Sequence, residues 1–168
     1  MSSYVSLFRS LNDAEVQYII VGGLATVLHG YPRLTADVDL IINLEQAEAE
    51  NAVKAITAAG FVPRVPVDPL QFADKATRED WIKNKNMLVF SFYQPENPVL
   101  IIDIFVREPI PFRELTERAK QMDIGGVTVP VCAIEDLISL KKMASRPQDL
   151  QDIKYLQELL NLNDETES

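Results

Sequence analysis

The sequence predicts an α/β (α+β) fold in which a mixed β-sheet is flanked by helices and followed by C-terminal helices. Short runs rich in β-branched and aromatic residues alternate with segments of helical periodicity. The runs at 87–93 and 99–106 are separated by the turn sequence 94–98, so we expect them to pair as an antiparallel hairpin. Apolar residues at helical spacing over 133–144 and 147–160 predict the two closing helices.

The first part of the chain is predicted to contain two strands, each followed by a helix. Apolar residues at helical spacing open the chain and predict a first helix that ends near residues 12–13. The short apolar run at 18–21 predicts a strand that stops at a glycine pair, and residues 24–28 are expected to begin the next helix. Residues 36–42 are the second predicted strand.

The middle of the chain is predicted to be mainly helical. Asn43 is expected to cap a helix that Gly60 ends. Asp68 then resembles an N-cap that begins a more polar helix reaching about Asn84, with Trp81 as its anchor. The remaining predicted elements are a helix near 111–120 and a hairpin at 123–131.

The composition predicts one domain in the cytoplasm. A chain of 168 residues with 47% hydrophobic content suffices for one core, so we expect a single domain over residues 1–162 and a disordered acidic tail over 163–168. The first residues lack signal-peptide features, and no apolar run approaches the roughly 18 residues that span a bilayer. The lone Cys132 cannot form an internal disulfide and is expected to be a packed thiol.

The charge distribution argues against one class of partner. A net charge of −9 and a pI near 4.6 oppose extensive non-specific binding of nucleic acid, which needs many phosphate contacts. Arg78, Lys83 and Lys85 are expected to form a solvated helix face. A tighter basic group at 141–146 remains available for a local contact.

Asp37 and Asp39 lie two residues apart in the strand predicted at 36–42. Residues at this spacing project from the same face of a strand, so we expect the two carboxylates to lie side by side and repel each other. Paired carboxylate oxygens are ligands that Mg²⁺ prefers, which makes a metal site one interpretation. The alternative is a solvent-facing strand end where backbone N–H groups hold both side chains.

Asp103 interrupts the continuous apolar run at 99–106. Such a run is typical of a strand that is buried on both faces. An ionised and unpaired carboxylate there would be costly, so Asp103 requires a metal ion, a basic partner or a raised pKa. A buried ion pair with an arginine or lysine explains this residue as well as a metal does.

A glycine pair, Gly22 and Gly23, separates the strand at 18–21 from the following helix. Small residues at such a turn let a phosphate approach backbone N–H groups. The pair matches neither the dinucleotide-binding fingerprint nor the P-loop pattern. Its significance comes from its position just before the aspartate pair.

Taken together, these motifs resemble the nucleotidyltransferase superfamily. The likeness is greatest to the small prokaryotic members similar to AbiEii-type toxins and minimal nucleotidyltransferases. The C-terminal helices add a softer match to that group's K-x-x-A-x-R…D-x-x-D stretch. The residues that carry the likeness are Val21, Gly22, Gly23, Arg33, Thr35, Asp37, Asp39 and Asp103, followed by Lys141, Ala144, Arg146, Asp149 and Asp152.

The resemblance implies a polymerase beta-like fold and the transfer of a nucleoside monophosphate from an NTP to an acceptor hydroxyl. Asp37, Asp39 and Asp103 would be the catalytic residues that hold Mg²⁺ or Mn²⁺, in keeping with two-metal catalysis at phosphorus. The acceptor remains open among RNA, a protein and a small molecule, and a cognate antitoxin is a possible partner protein. The implied nucleotide-binding residues are Gly22, Gly23, Arg33, Thr35, Lys141 and Arg146. For Arg33 and Thr35, a surface turn is an equal alternative.

Leu24 departs from the family pattern, which has a serine after the glycine pair. The alternative function is therefore a catalytically weak or inactive member that binds a nucleotide or a partner protein. If the family geometry is retained, Leu24→Ser is expected to strengthen phosphate binding by about 1 kcal/mol. If residue 24 faces the core, no gain is expected.

Lys141 is placed by helical geometry alone. It shares one helix stripe with Ile134, Leu137 and Ile138, so we expect it to point inward, towards the aspartates or the triphosphate. In the alternative, its stem packs on the core while the ammonium reaches water. His29, the only histidine, is expected to be structural or solvent-facing.

Overall fold

The computed structural model describes the backbone of residues 2–167 and the side chains of residues 4–166. Its helices are α1 (Ser2–Asp13), α2 (Gly22–Leu28), α3 (Gln46–Ala58), α4 (Lys75–Lys85), α5 (Phe112–Arg118), α6 (Ile134–Ala144) and α7 (Pro147–Glu167). Its strands are β1 (Tyr18–Val21), β2 (Asp37–Ile42), β3 (Val62–Pro63), β4 (Val89–Gln94), β5 (Asn97–Phe105), β6 (Lys120–Ile124) and β7 (Val127–Val131).

The strands form one mixed sheet, as the sequence predicts. Their order across the seven-stranded sheet is β3-β4-β5-β2-β1-β7-β6. Strand β2 runs parallel to β5, and β1 runs parallel to β7, whereas the other neighbours are antiparallel. The two predicted hairpins are confirmed as the β4–β5 and β6–β7 pairs. A parallel pair needs a long crossover, and α3 and α4 lie in the segment that connects β2 to β5.

The core lies around the central strands β1 and β2, whose side chains are mostly buried. All four residues of β1 are buried, and so are four of the six residues of β2. Trp81 of α4 stacks on Phe90 of β4 with their ring centroids 5.1 Å apart. This contact confirms Trp81 as the anchor of its helix.

The polar helix predicted from Asp68 to about Asn84 is divided into two helices. Asp68 caps only the short 3₁₀ helix Pro69–Ala73. The side chain of Asp74 then accepts a hydrogen bond from the N–H of Thr77 and begins α4. A second N-cap thus restarts the chain in a new direction, which helical periodicity alone does not reveal.

Two helix ends also differ from the prediction. The N-cap of α3 is Glu45, and Asn43 instead accepts a hydrogen bond from the Glu45 N–H, so it closes the turn before the helix. Helix α7 extends to Glu167, so residues 163–167 are helical where a disordered tail was expected. Ser168 of that expected tail lies outside the described residues.

Cys132 and His29 have the structural environments that the sequence predicts. The Cys132 side chain is buried, and its burial raises the pKa of the thiol to about 12. The Nε2 atom of His29 lies 2.8 Å from the carbonyl oxygen of Cys132. Among the described residues, no helix is long and apolar enough to cross a bilayer.

Arg78 contradicts the expectation of a solvated basic face on α4. Lys83 and Lys85 are exposed, but Arg78 is only 5% exposed. Its guanidinium donates hydrogen bonds to the carbonyl oxygens of Phe72, at 2.7 Å, and Leu44, at 3.3 Å. Arg78 therefore ties α4 to the 3₁₀ helix and to the loop after β2.

We predict that Arg78→Ala lowers the free energy of unfolding by about 2 kcal/mol, because two carbonyl oxygens lose a charged donor. Chemical denaturation measures this loss. The matched control is Lys83→Ala on the same helix, which should change stability by less than about 0.5 kcal/mol. Equal effects of the two substitutions would contradict a structural role for Arg78.

Candidate active site

The pairing of β2 with β5 brings the carboxylates of Asp37, Asp39 and Asp103 to one face of the sheet. Asp39 lies directly opposite Asp103 in the parallel register. Val38 and Leu40, which alternate with the aspartates, are completely buried, whereas Asp37 and Asp39 are half-buried. The predicted shared face of Asp37 and Asp39 is thus confirmed, and the register adds Asp103 to it.

These carboxylates perturb one another. The pKa of Asp39 is raised to about 7, chiefly by burial and then by the charges of Asp103 and Asp37. Arg146 and Lys141 act in the opposite direction. The pKa of Asp103 is also raised by burial, and the charge of Asp37 adds to that effect.

Asp103 satisfies part of its hydrogen-bonding capacity through a neighbouring strand. The hydroxyl of Ser91 on β4 donates a hydrogen bond to the Asp103 carboxylate. This bond and the charge of Arg64 both oppose the rise in the pKa of Asp103. The basic partner considered from the sequence is thus only a longer-range influence, and a hydroxyl supplies the direct contact.

The donor set suits a hard divalent cation, although the side chains do not form a finished cage. In the described part of the chain, no group of three or more His, Cys, Asp or Glu side chains is arranged to hold a metal ion. The carboxylates of Asp37, Asp39 and Asp103 nevertheless share one face. Burial, and then the charges of Asp103 and Asp37, raise the pKa of Asp39. Oxygen ligands and unbalanced negative charge are what Mg²⁺ or Mn²⁺ would require there.

Close packing leaves no space for a side chain at Gly22 or Gly23. Gly22 has a φ of +68°, and a Cβ atom added to it would lie 2.2 Å from Oδ2 of Asp39. A Cβ atom on Gly23 would lie 2.7 Å from both the Arg33 Nη2 and the Thr35 Oγ1. Larger residues would therefore displace Asp39 or the segment that carries Arg33 and Thr35.

The side chain of Leu24 packs in the apolar core and does not face the space beside the glycine turn. Helix α2 begins at Gly22, two residues earlier than predicted, and Leu24 is one of its buried residues. Its side chain is 4% exposed. A serine at this position would sit in the core, so the geometry needed for a gain in phosphate binding is absent.

Lys141 points inward, as helical geometry predicts, and the alternative of an ammonium in water is wrong. Its side chain is 4% exposed, and its Nζ lies 2.8 Å from Oδ2 of Asp152 and 3.8 Å from Oδ1 of Asp149. Arg33 Nη2 lies 3.2 Å from the same Asp152 oxygen. The direct partners of Lys141 are thus the carboxylates of α7 rather than the three aspartates of the sheet.

A small cavity of about 70 Å³ separates the sheet from the C-terminal helices. Gly22 and Asp39 line it on the sheet side, and Lys141, Arg146 and Asp149 line it on the helix side. The Nε of Arg146 lies 2.8 Å from Oδ2 of Asp149, yet its side chain is 74% exposed. Lys141 and Arg146 therefore face the same space as Asp39, although neither forms an ion pair with it.

Some residues of this site carried no signal in the sequence. Ser91 lies in β4 and Arg64 directly follows β3, neither within a motif, and only strand pairing places Ser91 opposite Asp103 and Arg64 opposite Ser91. The Tyr4 hydroxyl donates a hydrogen bond to the Ala36 carbonyl oxygen, which lies beside Asp37. Because such contacts join residues far apart in the chain, local patterns cannot predict them.

A family comparison identifies the chain as a nucleotidyltransferase. The family model "Nucleotidyl transferase AbiEii toxin, Type IV TA system" matches residues 6–167. The chain therefore belongs to the AbiEii nucleotidyl transferase family. No curated protein sequence matches the chain.

Solved structures share this fold at low sequence identity. The antibiotic-resistance factor ANT(2'')-Ia is 12% identical with a TM-score of 0.61, over 95% of this chain and 83% of that one. The lincosamide antibiotic adenylyltransferase LnuA is 14% identical with a TM-score of 0.61, over 94% and 96%. A nucleotidyltransferase-like protein from Paracoccidioides brasiliensis is 19% identical with a TM-score of 0.57, over 94% and 73%.

The raised pKa of Asp39 predicts a pH-dependent response to metal ions. The folded protein holds this proton up to about pH 7, whereas the unfolded chain releases it near pH 4, so ionisation of Asp39 costs stability as the pH rises between these values. We predict that Mg²⁺ raises the melting temperature clearly at pH 8 and little at pH 5. An equal shift at both pH values would contradict this linkage.

The control for this measurement is an exposed aspartate outside the cluster. Asp39→Asn should raise the melting temperature of metal-free protein at pH 8 and weaken the Mg²⁺ response. Asp13→Asn on α1 should change neither the melting temperature nor the Mg²⁺ response, because Asp13 is exposed and lies outside the aspartate cluster.

The ion pairs of Lys141 predict a loss of stability. We expect Lys141→Met to lower the free energy of unfolding by about 3 kcal/mol, because it removes the buried cation shared by Asp149 and Asp152 and leaves them only Arg146 and Arg33. The exposed neighbour Lys142 provides the matched control, Lys142→Met. In denaturant titrations, a double variant with Asp152→Asn should lose less than the sum of the two single losses. Additive losses would refute the coupling.

Proposed function

We propose that the protein transfers a nucleoside monophosphate from an NTP to an acceptor hydroxyl, with Mg²⁺ or Mn²⁺ held by Asp37, Asp39 and Asp103. The observation that carries the proposal is the pairing of Asp39 with Asp103 at a point where Asp39 also touches Gly22. The carboxylates thus lie next to a glycine turn that has no side chain to block a phosphate. Bound ions would neutralise charge on the phosphates and favour ionisation of the acceptor hydroxyl.

The proposed position of the NTP follows from the charges around the cavity. The triphosphate would lie by Gly22 and Gly23, where no Cβ atom blocks its approach. Lys141 and Arg146 line the same cavity and offer positive charge to the phosphate oxygens. Arg33 and Thr35 lie over Gly23; Arg33 adds a cation and Thr35 a hydroxyl. These roles account for all six nucleotide-binding residues suggested by the sequence.

The transfer step needs alignment more than a protein nucleophile. The acceptor oxygen forms a bond to the α-phosphorus as its hydroxyl proton passes to solvent water. The bond from the α-phosphorus to the bridging oxygen breaks, and pyrophosphate departs. Asp37, Asp39 and Asp103 would hold the divalent ions that align both reactants, while Gly22 leaves room for the phosphate chain beside Asp39.

The acceptor and the biological partners are further parts of the proposal. Neighbours in fold act on small molecules: one structure contains adenylyl-2''-tobramycin and another contains lincomycin. The family name instead indicates a toxin, which supports a cognate antitoxin as partner. A buried, unpaired cysteine is compatible with a reducing cytoplasm, and the net charge of −9 limits broad contact with nucleic acid.

A second candidate function is a binding module without turnover. The observation that favours it is the burial of Leu24, which supplies no hydroxyl where the family pattern has a serine. Such a protein would bind NTP and a divalent ion at the same residues but transfer nothing. Only a turnover measurement separates the two functions.

The decisive experiment follows label from each α-³²P NTP, with Mg²⁺, Mn²⁺ or EDTA, into the RNA, protein and metabolite fractions of a cell extract. We expect metal-dependent transfer into one fraction. Asp37→Asn, Asp39→Asn and Asp103→Asn should each reduce it by about 100-fold or more.

The exposed control Asp13→Asn should retain full transfer. Metal-dependent NTP binding without label in any fraction would favour the binding module. Transfer that survives in all three aspartate variants would overturn the proposed site.

A further inference from the structure

Arg64 belongs to a row of polar residues that crosses the sheet. The pairing of β3 with β4 continues by one residue, because the Arg64 N–H donates to the Ser91 carbonyl oxygen at 2.9 Å. Ser91 lies opposite Asp103, and Asp103 lies opposite Asp39. Opposed residues project from the same face, and neighbouring strands are about 4.8 Å apart. Arg64 therefore stands on the face of the carboxylates, two strands from Asp103.

The guanidinium of Arg64 is available for a ligand. Its side chain is exposed, and in the part of the chain that the structure describes it has no hydrogen-bond or ion-pair partner. The Ser91 hydroxyl between them is already directed to Asp103. Arg64 thus presents five N–H donors on the same face of the sheet as the carboxylates, and none of the described carboxylates forms an ion pair with it.

The positive charges of the site lie on two opposite sides of the carboxylates. Lys141 and Arg146 lie on the Gly22 side, across the cavity from Asp39. Arg64 lies on the other side, beyond Asp103 and three strands from Asp39. A transferase must hold two substrates that meet at the reacting phosphorus. If the NTP occupies the Gly22 side, the acceptor approaches from the Arg64 side.

We infer that the acceptor carries a phosphate near its reacting hydroxyl and that Arg64 binds this phosphate. The inference rests on the proposed transferase function and names the acceptor class for the same site. A planar guanidinium pairs with phosphate through two parallel hydrogen bonds. Arg64 also repels a polycationic acceptor, which would otherwise be attracted to the three carboxylates. Arg64 is thus a specificity-determining residue of the acceptor side.

The test separates acceptor binding from nucleotide binding. The variants are Arg64→Ala, Arg64→Lys and Arg64→Glu, with Lys83→Ala on α4 as a control that removes one exposed charge elsewhere. Nucleotide affinity is measured by calorimetry with ATP and Mg²⁺. Acceptor affinity is measured by anisotropy with a fluorescein-labelled five-nucleotide RNA that has a free 3′ hydroxyl. The unlabelled RNA, ribose 5-phosphate, ribose and kanamycin then compete for the same site and distinguish the sources of phosphate.

We expect Arg64→Ala to weaken binding of the RNA by about 10-fold or more, with ATP affinity unchanged. Arg64→Lys should restore part of the affinity, Arg64→Glu should weaken binding further, and Lys83→Ala should have no effect. Competition by both RNA and ribose 5-phosphate would indicate recognition of any sugar phosphate. Competition by RNA alone would indicate recognition of a polynucleotide end.

Three outcomes would overturn the inference: unchanged RNA binding in Arg64→Ala, an equal loss in Lys83→Ala, or stronger competition by kanamycin than by ribose 5-phosphate. The label-transfer experiment is scored separately. If the wild-type protein transfers no label but Arg64→Ala still weakens RNA binding selectively, the transferase function fails while the phosphate site stands. If transfer occurs at the same KM for the RNA in Arg64→Ala, the transferase stands and the inference fails.

Discussion

The parallel pairing of β2 with β5 is the constraint on which the site depends. It sets Asp39 opposite Asp103, and the antiparallel β1–β2 pair sets Val21 opposite Asp39, immediately before Gly22. A shift of one residue in either register would turn an aspartate to the buried face. The buried side chains of Val38 and Leu40 resist such a shift, because it would expose them. Core packing on one face therefore holds the carboxylates together on the other.

The charges of Lys141 and Arg146 reduce the repulsion within this cluster without removing it, and other contacts fix Lys141 in place. Lys141 is held by Asp152 and Asp149, and Arg33 is held by the same Asp152, which is completely buried. One carboxylate of α7 thus joins α6 to the segment that precedes β2. The Tyr155 hydroxyl adds a second tie from α7 to the Gly30 carbonyl oxygen. The C-terminal helices are therefore an integral support of the glycine turn.

The sequence predicts those features that depend on local periodicity. The shared face of Asp37 and Asp39 follows from strand alternation, and the inward direction of Lys141 follows from its helix stripe. The partners of these residues do not follow, because Asp103 and Asp152 reach them only through strand pairing and helix docking. The two-part helix after Asp68, the long α7 and the buried Arg78 were missed for the same reason. Each depends on what the segment packs against rather than on its own pattern.

The arrangement of charge along the sheet also explains how an acidic protein can use anionic substrates. A net charge of −9 repels polyphosphates at long range, but this repulsion between exposed charges is screened over about 8 Å in physiological salt. Within that distance, the local charges decide, and here Lys141 and Arg146 lie on one side of the carboxylates with Arg64 on the other. Substrates that carry phosphate on both sides of the reacting bond match this alternation. A cationic substrate is complementary only to the carboxylates in the middle of this arrangement.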